Sequence, residues 1–268
     1  MIKRIMNRLR PPQPSEAQQL ISEAMAFPRY REHSFQFGHY TLKVSDFISV
    51  AYQLKEYFED QRLKFAPSSP QPVILDCGAN VGVSVLYFKS IFPAARITAF
   101  EPDPLIFRYL NENLRQNMVD GVELVNKAVW TDDNGIEFGS EGADGGSVYF
   151  EGNKTRLPSL RLKTLMEKEE EIDLLKMDIE GAEVEVITDC AEQLKKVKYL
   201  FVEYHSWISN PQQLDLLLST LTQNKFRYAI HSIGHQSSSP FSGTNSQNGM
   251  DIQLDIYAVN ESYTNTAL

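Results

Sequence analysis

Charged side chains are concentrated directly after a strongly apolar stretch near residue 175. Residues Leu174–Glu180 run from an apolar strand into acidic and basic groups, and Gly181 and a helix-like segment follow. In an extended chain alternate side chains share one side, which puts Lys176, Asp178 and Glu180 together. Carboxylates held in this way can bind a polar ligand or accept a proton. This strand end is therefore the first candidate for a functional site.

A second run of titratable groups follows the next apolar strand. Residues Phe201–His205 end with a carboxylate and an imidazole at positions i and i+2. In open α/β sheets ligands bind beyond the carboxyl ends of the strands, so both strand ends are expected to face one site. The residues expected to carry the chemistry are Asp178, Glu180, Glu203 and His205.

A glycine-containing loop follows an earlier apolar strand. The segment from Asp76 to Gly82 joins that strand to a helix. Gly78 allows a tight turn or a positive φ, and Gly82 is expected to let the helix approach a ligand or the sheet closely. Amides at the start of the helix can receive polar groups of a ligand. Asn80 and Val83 stand where a dinucleotide-binding loop has glycines, so a pyrophosphate fits less well.

An acidic residue ends the next strand, in the sequence Phe100-Glu101-Pro102. At this position of a βαβ unit a carboxylate can bind both hydroxyls of an adenosine ribose. A glutamate rather than an arginine argues against a 2′-phosphate. The loop and Glu101 together favour a ligand that contains adenosine.

The elements that position these residues alternate between strands and helices from Val73 onward. The pattern predicts strands over residues 73–76, 96–100, 122–126 (extending towards 129), 172–177 and 199–203, and helices over residues 81–91, 105–117, 182–190 and 212–224. Two further strands, 227–232 and 251–259, have no helix between them and are expected to be antiparallel. Such alternation predicts a Rossmann-like α/β fold with a mostly parallel seven-stranded sheet and helices on both faces.

An N-terminal extension precedes this core, and the proline-rich segment 67–72 separates the two. We place the extension at residues 1–70 and the core at residues 71–268. The extension predicts a helix over residues 16–26, a hairpin over residues 35–44 that turns at Gly38-His39, and a helix from Asp46 to about Asp60. Some of its aromatic side chains are expected to wall a substrate pocket: Phe35, Phe37, Tyr40, Tyr52, Tyr57 and Phe58.

Composition excludes several classes of function. The 268 residues carry a formal net charge of -9, which disfavours a nucleic-acid partner. No apolar stretch has the length of a membrane span, and the two cysteines make neither a disulfide framework nor a four-ligand zinc site, so a cytoplasmic protein is expected. The basic segment Lys3–Arg10 is expected to be a solvated terminus or a short surface helix. Residues 234–249 predict a long loop, either a lid or a disordered segment.

These motifs together resemble the FkbM family of class I methyltransferases. The resemblance covers about residues 70–206 and is carried by residues 76–82, 100–102, 126–129, 175–183 and 203–205. It implies S-adenosylmethionine as methyl donor and, as acceptor, a hydroxyl of a sugar, a glycan or a secondary metabolite. It also implies a site for the methionine end at the glycine loop, for the ribose at Glu101, for the adenine near Ala128 and for the methyl group near Asp178. The residues expected to bind the donor are Asp76, Gly78, Ala79, Asn80, Gly82, Glu101, Pro102, Ala128 and Asp178.

A hydroxyl acceptor must lose its proton, so a general base is expected. His205 is the natural candidate near neutral pH, with Glu203 orienting it, and Asp178 is the alternative. A divalent metal held by Asp178, Glu180 and His205 is a further alternative. Metal-free catalysis is expected, because ligand geometry cannot be read from spacing across strands.

Two other functions are compatible with a sheet of this kind. One is a nicotinamide-dependent oxidoreductase, which the glycine loop disfavours. The other is a non-catalytic protein that has kept only the fold, since a fold alone does not prove activity. Glu101 and the acidic cluster over residues 178–183 disfavour this second alternative.

Overall fold

The computed structural model describes residues 13–139, 154–233 and 249–263. The basic segment Lys3–Arg10 and residues 234–248 of the predicted loop lie outside the described residues. Among the described residues, no helix combines the length and the apolar character that crossing a membrane requires.

The N-terminal extension forms two helices and a hairpin. It contains α1 (Glu16–Ala24), β1 (His33–Phe37), β2 (Tyr40–Val44) and α2 (Phe47–Leu54), and α2 continues as a π-helical turn over Lys55–Glu59. The hairpin and the helix to about residue 60 are confirmed. Asp46 precedes α2 as predicted, but its carboxylate does not cap the helix. It accepts hydrogen bonds from Arg29 and Ser49 instead.

The core alternates strands and helices as the apolar pattern predicts. In chain order the elements are β3 (Val73–Cys77), α3 (Val83–Ile91), β4 (Arg96–Phe100), α4 (Pro104–Gln116), β5 (Val122–Val125), β6 (Ala128–Trp130), β7 (Ile136–Gly139), β8 (Lys154–Leu157), β9 (Ser159–Arg161), α5 (Leu162–Met166), β10 (Ile172–Met177), α6 (Glu183–Asp189), a 3₁₀ turn (Leu194–Lys196), β11 (Val197–Trp207), α7 (Leu214–Gln223), β12 (Phe226–Ser232) and β13 (Met250–Asn260).

Seven of these strands form one large sheet in the order β12-β13-β11-β10-β3-β4-β5. Strand β13 is antiparallel to both of its neighbours, and the other described pairs in this sheet are parallel. The predicted Rossmann-like α/β fold is confirmed, including the antiparallel last pair. From β3 the chain moves to β4 on one side, and from β10 it moves to β11 on the other. The cleft beyond β3 and β10 is therefore the switch point at which open α/β sheets bind ligands.

The predicted strand over residues 122–129 is divided in two. Strand β5 stays in the large sheet, whereas β6 leaves it and pairs with β9. Between them the Asn126 side-chain amide donates to the backbone oxygens of Glu101 (2.8 Å) and Pro102 (3.1 Å). These hydrogen bonds connect the point of division to the end of β4.

The extension packs on the core through a shared hydrophobic cluster. Leu42 and Leu54 of the extension are buried in the same cluster as Leu86 and Leu110 of α3 and α4. Asn113 of α4 adds polar ties, because its side chain bonds the backbone N–H (2.8 Å) and carbonyl (3.0 Å) of Lys43. The division of the chain at residue 70 stays a prediction about domain organisation.

Candidate active site

The glycine loop after β3 lies directly against the end of β10. Gly78 has φ +84°, and a Cβ on it would lie 1.7 Å from the backbone oxygen of Asp178. The N–H groups of Gly78 and Ala79 donate to the Phe100 carbonyl of β4 (3.1 and 2.8 Å). The loop is therefore pinned between β4 and β10, and no side chain fits at position 78.

Glu101 ties this loop to the end of β4. Its carboxylate accepts hydrogen bonds from the backbone N–H groups of Asn80 (3.1 Å) and Asp103 (2.9 Å). Asn80 has φ +49°, a left-handed conformation that asparagine tolerates better than most residues. Burial raises the pKa of Glu101 to about 8. Glu101, which was predicted to bind the ribose, therefore lies at the loop, and its contact with ribose stays a prediction.

Two residues expected to bind the donor also have structural contacts. A Cβ on Gly82 would meet Leu110 at 2.8 Å, so this glycine allows a close approach to helix α4, and its contact with the donor stays a prediction. Asp76 is fully buried, accepts a hydrogen bond from Ser84 (2.6 Å) and lies 3.4 Å from the Lys176 Nζ. Asp76 therefore connects the end of β3 to α3 and to β10, and its contact with a ligand stays a prediction.

The remaining predicted donor-binding residues lie around the same carboxyl ends. Ala79 is buried within the loop, and Pro102 follows β4 directly. Ala128 begins β6, is buried, and donates its N–H to the Pro158 carbonyl (2.9 Å). The structure thus brings the loop and the β4 end together, while Ala128 lies beyond the division between β5 and β6.

Lys176 connects the loop to the acidic strand ends. Its buried Nζ donates to the Gly78 carbonyl (2.9 Å) and lies 3.4 Å from one oxygen each of Asp76 and Asp178. Burial alone would lower the pKa of Lys176, but the charges of Asp178 and Asp76 raise it above its ordinary value. A charged lysine therefore holds β3 and β10 together at the switch point.

His205 is held by a carboxylate that the sequence did not single out as catalytic. Its Nδ1 lies 3.1 Å from Oε1 of Glu183, which is buried and also accepts from the N–H groups of Ile179 and Gly181. Its Nε2 lies 3.5 Å from Glu203 Oε1 and 3.8 Å from Glu180 Oε2. The ring is thus oriented by Glu183, and Glu203 lies at the other nitrogen. Position 183 falls within the acidic motif, which was the available signal.

The carboxylates change the protonation of His205. Burial lowers the pKa of the ring, but Glu180 and Glu183 outweigh this effect and raise it well above 6.5. This shift favours the protonated, positively charged form of the ring, which has no free electron pair for a proton. His205 was chosen as the base on its ordinary pKa; the raised pKa disfavours this choice, and the role of His205 stays a prediction.

The carboxylates themselves differ in pKa. Burial and the charge of Glu203 raise the pKa of Asp178 to about 7, although Lys176 acts against this. Burial also raises the pKa of Glu180 well above its ordinary value. Glu203 is shifted downward, because its hydrogen bond to His205 and the charge of that ring outweigh burial. The four residues predicted to be catalytic therefore form one coupled cluster.

Three atoms of this cluster are close enough to share a metal ion. Within the described parts of the chain, one oxygen each of Asp178 and Glu203 and one nitrogen of His205 lie within 4.8 Å of one another. The sequence suggested Glu180 in the place of Glu203 as the alternative ligand. Glu180 has φ +58° and lies where the chain turns away from β10.

The extension brings two side chains towards the strand ends: Tyr57, which belongs to the set predicted for the pocket wall, and Arg62, which the sequence did not single out. Tyr57, in the π-helical turn, is buried, and besides burial the charges of Asp178 and Glu203 raise its pKa. Arg62 Nη1 lies 3.0 Å from Asp255, the residue opposite Glu203 in the β11–β13 register. Such pairings between distant segments leave no signal in the spacing of one chain.

Most aromatic residues of the extension belong to the hydrophobic core. Phe37 packs edge-on against Phe58, which packs against Tyr87 of α3. Tyr52 is exposed. Tyr57 is the member of the predicted set that the strand-end carboxylates influence, so it is the best remaining candidate for the pocket wall.

A cavity of about 240 Å³ lies beside His205, between α6 and the loop that follows β11. Polar and aromatic side chains line it: Glu185, Tyr204, Trp207, Asn210 and Gln213. The Nδ2 of Asn210 is buried and has no hydrogen-bond partner within the described residues. The cavity lies next to His205 and so beside the acidic strand ends.

Several known methyltransferases have similar sequences. Methyltransferase sdnD of Sordaria araneosa is 30% identical over 183 residues, which are 54% of this chain and 71% of that protein. The 2-O-methyltransferase NoeI of Sinorhizobium fredii is 30% identical over 202 residues, covering 62% of this chain and 81% of that protein. The hexuronic acid methyltransferase AglP of Haloferax volcanii is 26% identical over 206 residues, covering 75% and 83%.

A family model confirms the resemblance drawn from the motifs. The model described as the methyltransferase FkbM domain matches residues 76–228, from the glycine loop to the start of β12. The match includes both acidic strand ends and Glu101. Together with the sheet order, it confirms the class I methyltransferase fold expected from the resemblance. The chain belongs to the FkbM family of methyltransferases.

Proposed function

We propose that this protein transfers a methyl group from S-adenosylmethionine to a hydroxyl of a sugar or another hydroxylated small molecule. The observation that carries the proposal is the convergence of the glycine loop, Glu101 and Asp178 at the switch point of the sheet. The names of NoeI and AglP, a 2-O-methyltransferase and a hexuronic acid methyltransferase, support a sugar as acceptor. Family membership argues against the nicotinamide-dependent alternative.

The residues around the loop fit an adenosine-containing donor. The partly exposed Gly78 carries no side chain at the end of β3, and Glu101 presents acceptor oxygens at the end of β4. Hydroxyls of a ribose can donate to the lone pairs of Glu101 that its two amide partners leave open. S-adenosylmethionine supplies an electrophilic methyl group on a sulfonium when it is bound.

Asp178 and Glu180 have different roles at the acceptor: Asp178 positions its hydroxyl and Glu180 accepts the proton. Asp178 touches the donor loop and positions the acceptor hydroxyl beside the methyl group. Glu180 receives the proton as the oxygen–carbon bond forms, because its side chain is the most exposed of the acidic cluster: 26%, against 19% for Asp178 and 18% for Glu203. The positive charge of Lys176 keeps Asp178 in place during this step.

The first prediction concerns Glu180. Glu180→Gln removes the proton acceptor, so single-turnover methyl transfer should fall by about 10²–10⁴-fold while donor affinity stays within about twofold. The measurement uses labelled donor with a panel of neutral sugars and hexuronic acids, together with calorimetry of donor binding. Glu192→Gln, an exposed carboxylate distant from the cleft, is the matched control.

The same measurements separate the alternatives. Unchanged transfer in Glu180→Gln would assign the proton to another group. Donor binding without transfer to any hydroxylated acceptor would favour the non-catalytic alternative. Absence of donor binding in the native protein would contradict the proposed function as a whole.

A further inference from the structure

We propose that Asp178, Glu203 and His205 form a binding site for a divalent cation of the Mg²⁺ or Mn²⁺ class. Its ligand atoms come from the carboxyl ends of β10 and β11, beside the donor loop. Binding of the cation is independent of the proposed function, whereas its use in the reaction rests on that function. A metal site stands against the metal-free expectation, because the fold brings together three atoms whose spacing along the chain was uninformative.

The distances between the three ligand atoms suit one ion. The atoms lie within 4.8 Å of one another, and His205 Nε2 is 3.5 Å from Glu203 Oε1. Metal–ligand bonds of about 2.0–2.2 Å place neighbouring ligand atoms about 3.0–3.5 Å apart. Small rotations of the two partly exposed carboxylates, those of Asp178 and Glu203, complete the site.

Glu183 prepares His205 for coordination. The buried Glu183 carboxylate receives Nδ1 of the ring and is itself fixed by the N–H groups of Ile179 and Gly181 at 3.1 and 3.0 Å. A neutral ring that donates from Nδ1 carries its lone pair on Nε2, the nitrogen that faces Glu203. Metal-binding histidines are commonly oriented by a carboxylate in this way. Glu183 contacts Nδ1, whereas Glu203 lies at Nε2, so Glu183 leaves the second nitrogen of the ring open to an ion.

The charge balance of the cluster also favours a cation. Five carboxylates, those of Asp76, Asp178, Glu180, Glu183 and Glu203, surround Lys176 and His205. Lys176 bonds the Gly78 carbonyl and lies beside Asp76 and Asp178, so its single charge is shared among these groups and Glu203. Buried negative charge without a partner is costly, and a divalent ion at this position compensates two of the carboxylates.

The donor set determines the kind of ion. Two carboxylate oxygens and one imidazole nitrogen leave coordination positions open for water or for acceptor hydroxyls, as is usual for Mg²⁺ and Mn²⁺. A hydroxyl bound to such an ion has a lowered pKa. Its proton passes to Glu180, which is not one of the three ligands, as the oxygen forms its bond to the methyl carbon. The bond from sulfur to that carbon breaks, and sulfur keeps the electron pair.

The experiment titrates Mn²⁺ alone into the full chain after treatment with a chelator and exchange into metal-free buffer. Electron paramagnetic resonance of free Mn²⁺ and calorimetry should report one bound ion per chain. Asp178→Asn, Glu203→Gln and His205→Ala should each weaken Mn²⁺ binding at least tenfold. Glu56→Gln is the matched control, because its charge lies near Glu203 without belonging to the three ligands. It should change the affinity by less than about threefold.

A second measurement uses the native sequence and does not depend on how the variants fold. Pulsed paramagnetic resonance of bound Mn²⁺ should detect the ¹⁴N coupling of a coordinated imidazole, and ¹⁵N-histidine labelling should change that signal. No bound ion, no nitrogen coupling, or an equal loss of affinity in Glu56→Gln would overturn the proposal. Because neither donor nor acceptor is present, failure of the proposed methyl transfer would not affect either readout.

Discussion

At the scale of single residues, Glu101 combines burial with a predicted role in ligand binding. Its pKa is raised to about 8 because the carboxylate is buried beneath the loop. Ribose hydroxyls donate to the charged form, so a ligand that binds through them must favour loss of the proton. At pH 7 most protein molecules carry protonated Glu101. The affinity for a ligand that binds through its ribose hydroxyls should therefore rise with pH until Glu101 is fully charged.

The resulting prediction is a pH-dependent affinity for the demethylated donor, S-adenosylhomocysteine. Between pH 7 and pH 9 its affinity should increase up to about tenfold, following the ionised fraction of a group with a pKa of about 8. Calorimetry across this range provides the measurement. In Glu101→Gln the side chain cannot ionise, so the dependence should disappear. A dependence that persists in Glu101→Gln would come from another group or from the ligand itself.

The residues of the site were predictable to different degrees. Asp178, Glu203 and His205 end apolar runs, so their placement at the sheet edge followed from strand patterns alone. The state of His205 did not follow, since its pKa depends on Glu180 and Glu183, which approach it only in the folded chain. Tyr57 and Arg62 depend on contacts between segments far apart in sequence.

At the scale of elements, the loop between β3 and α3 depends on glycine at position 78. An alanine there must adopt φ near +84° and place its Cβ 1.7 Å from the Asp178 oxygen. Gly38, in the hairpin turn, has a similar φ of +55° but no atom within 4 Å of a Cβ. The two positions therefore separate backbone strain from steric overlap.

Gly78→Ala should destabilise the protein by about 3 kcal/mol or more, through strain and displacement of β10 together. Gly38→Ala should cost about 1–2 kcal/mol, the strain alone. Denaturant unfolding measures both, and donor binding should be lost in Gly78→Ala but retained in Gly38→Ala. Equal costs would show that the loop can move away from β10.

Element boundaries show where pattern and packing differ. Strand β10 has the predicted bounds, since both of its faces are buried and the apolar run ends with the strand. Helix α3 begins at Val83 rather than Val81, because Gly82 has φ +98° and cannot belong to a right-handed helix. Strand β11 extends to Trp207, beyond the predicted end at 203, because β13 pairs along its length.

At the scale of the whole molecule, the extension and the sheet share one core. Leu54 is fully buried between the extension and α3. Leu54→Ala should lower the free energy of unfolding by about 2–5 kcal/mol. Because the core is shared, the loss of donor binding in urea should shift by the same amount as the loss of helical signal. Circular dichroism and binding of labelled donor, followed in parallel, provide the measurement.

Phe88→Leu, a smaller change in the same cluster on the α3 side, is the control. In this variant too, donor binding and helical signal should be lost together. Separate transitions for donor binding and helical signal would mean that the extension unfolds independently. The proline-rich segment predicted a boundary, but apolar contacts across it could not be read from local composition.

The position of β13 has a consequence for biosynthesis. This strand pairs with both β11 and β12, yet it follows every other described strand in the chain. On the ribosome, β11 therefore emerges before its outer neighbour, and Gln253, which contacts Glu203, arrives 50 residues after it. At about 5–20 residues per second, a nascent chain spends several seconds with an unpaired β11 edge and without the contact between Gln253 and Glu203. A chaperone that covers exposed strands would act on this protein in that interval.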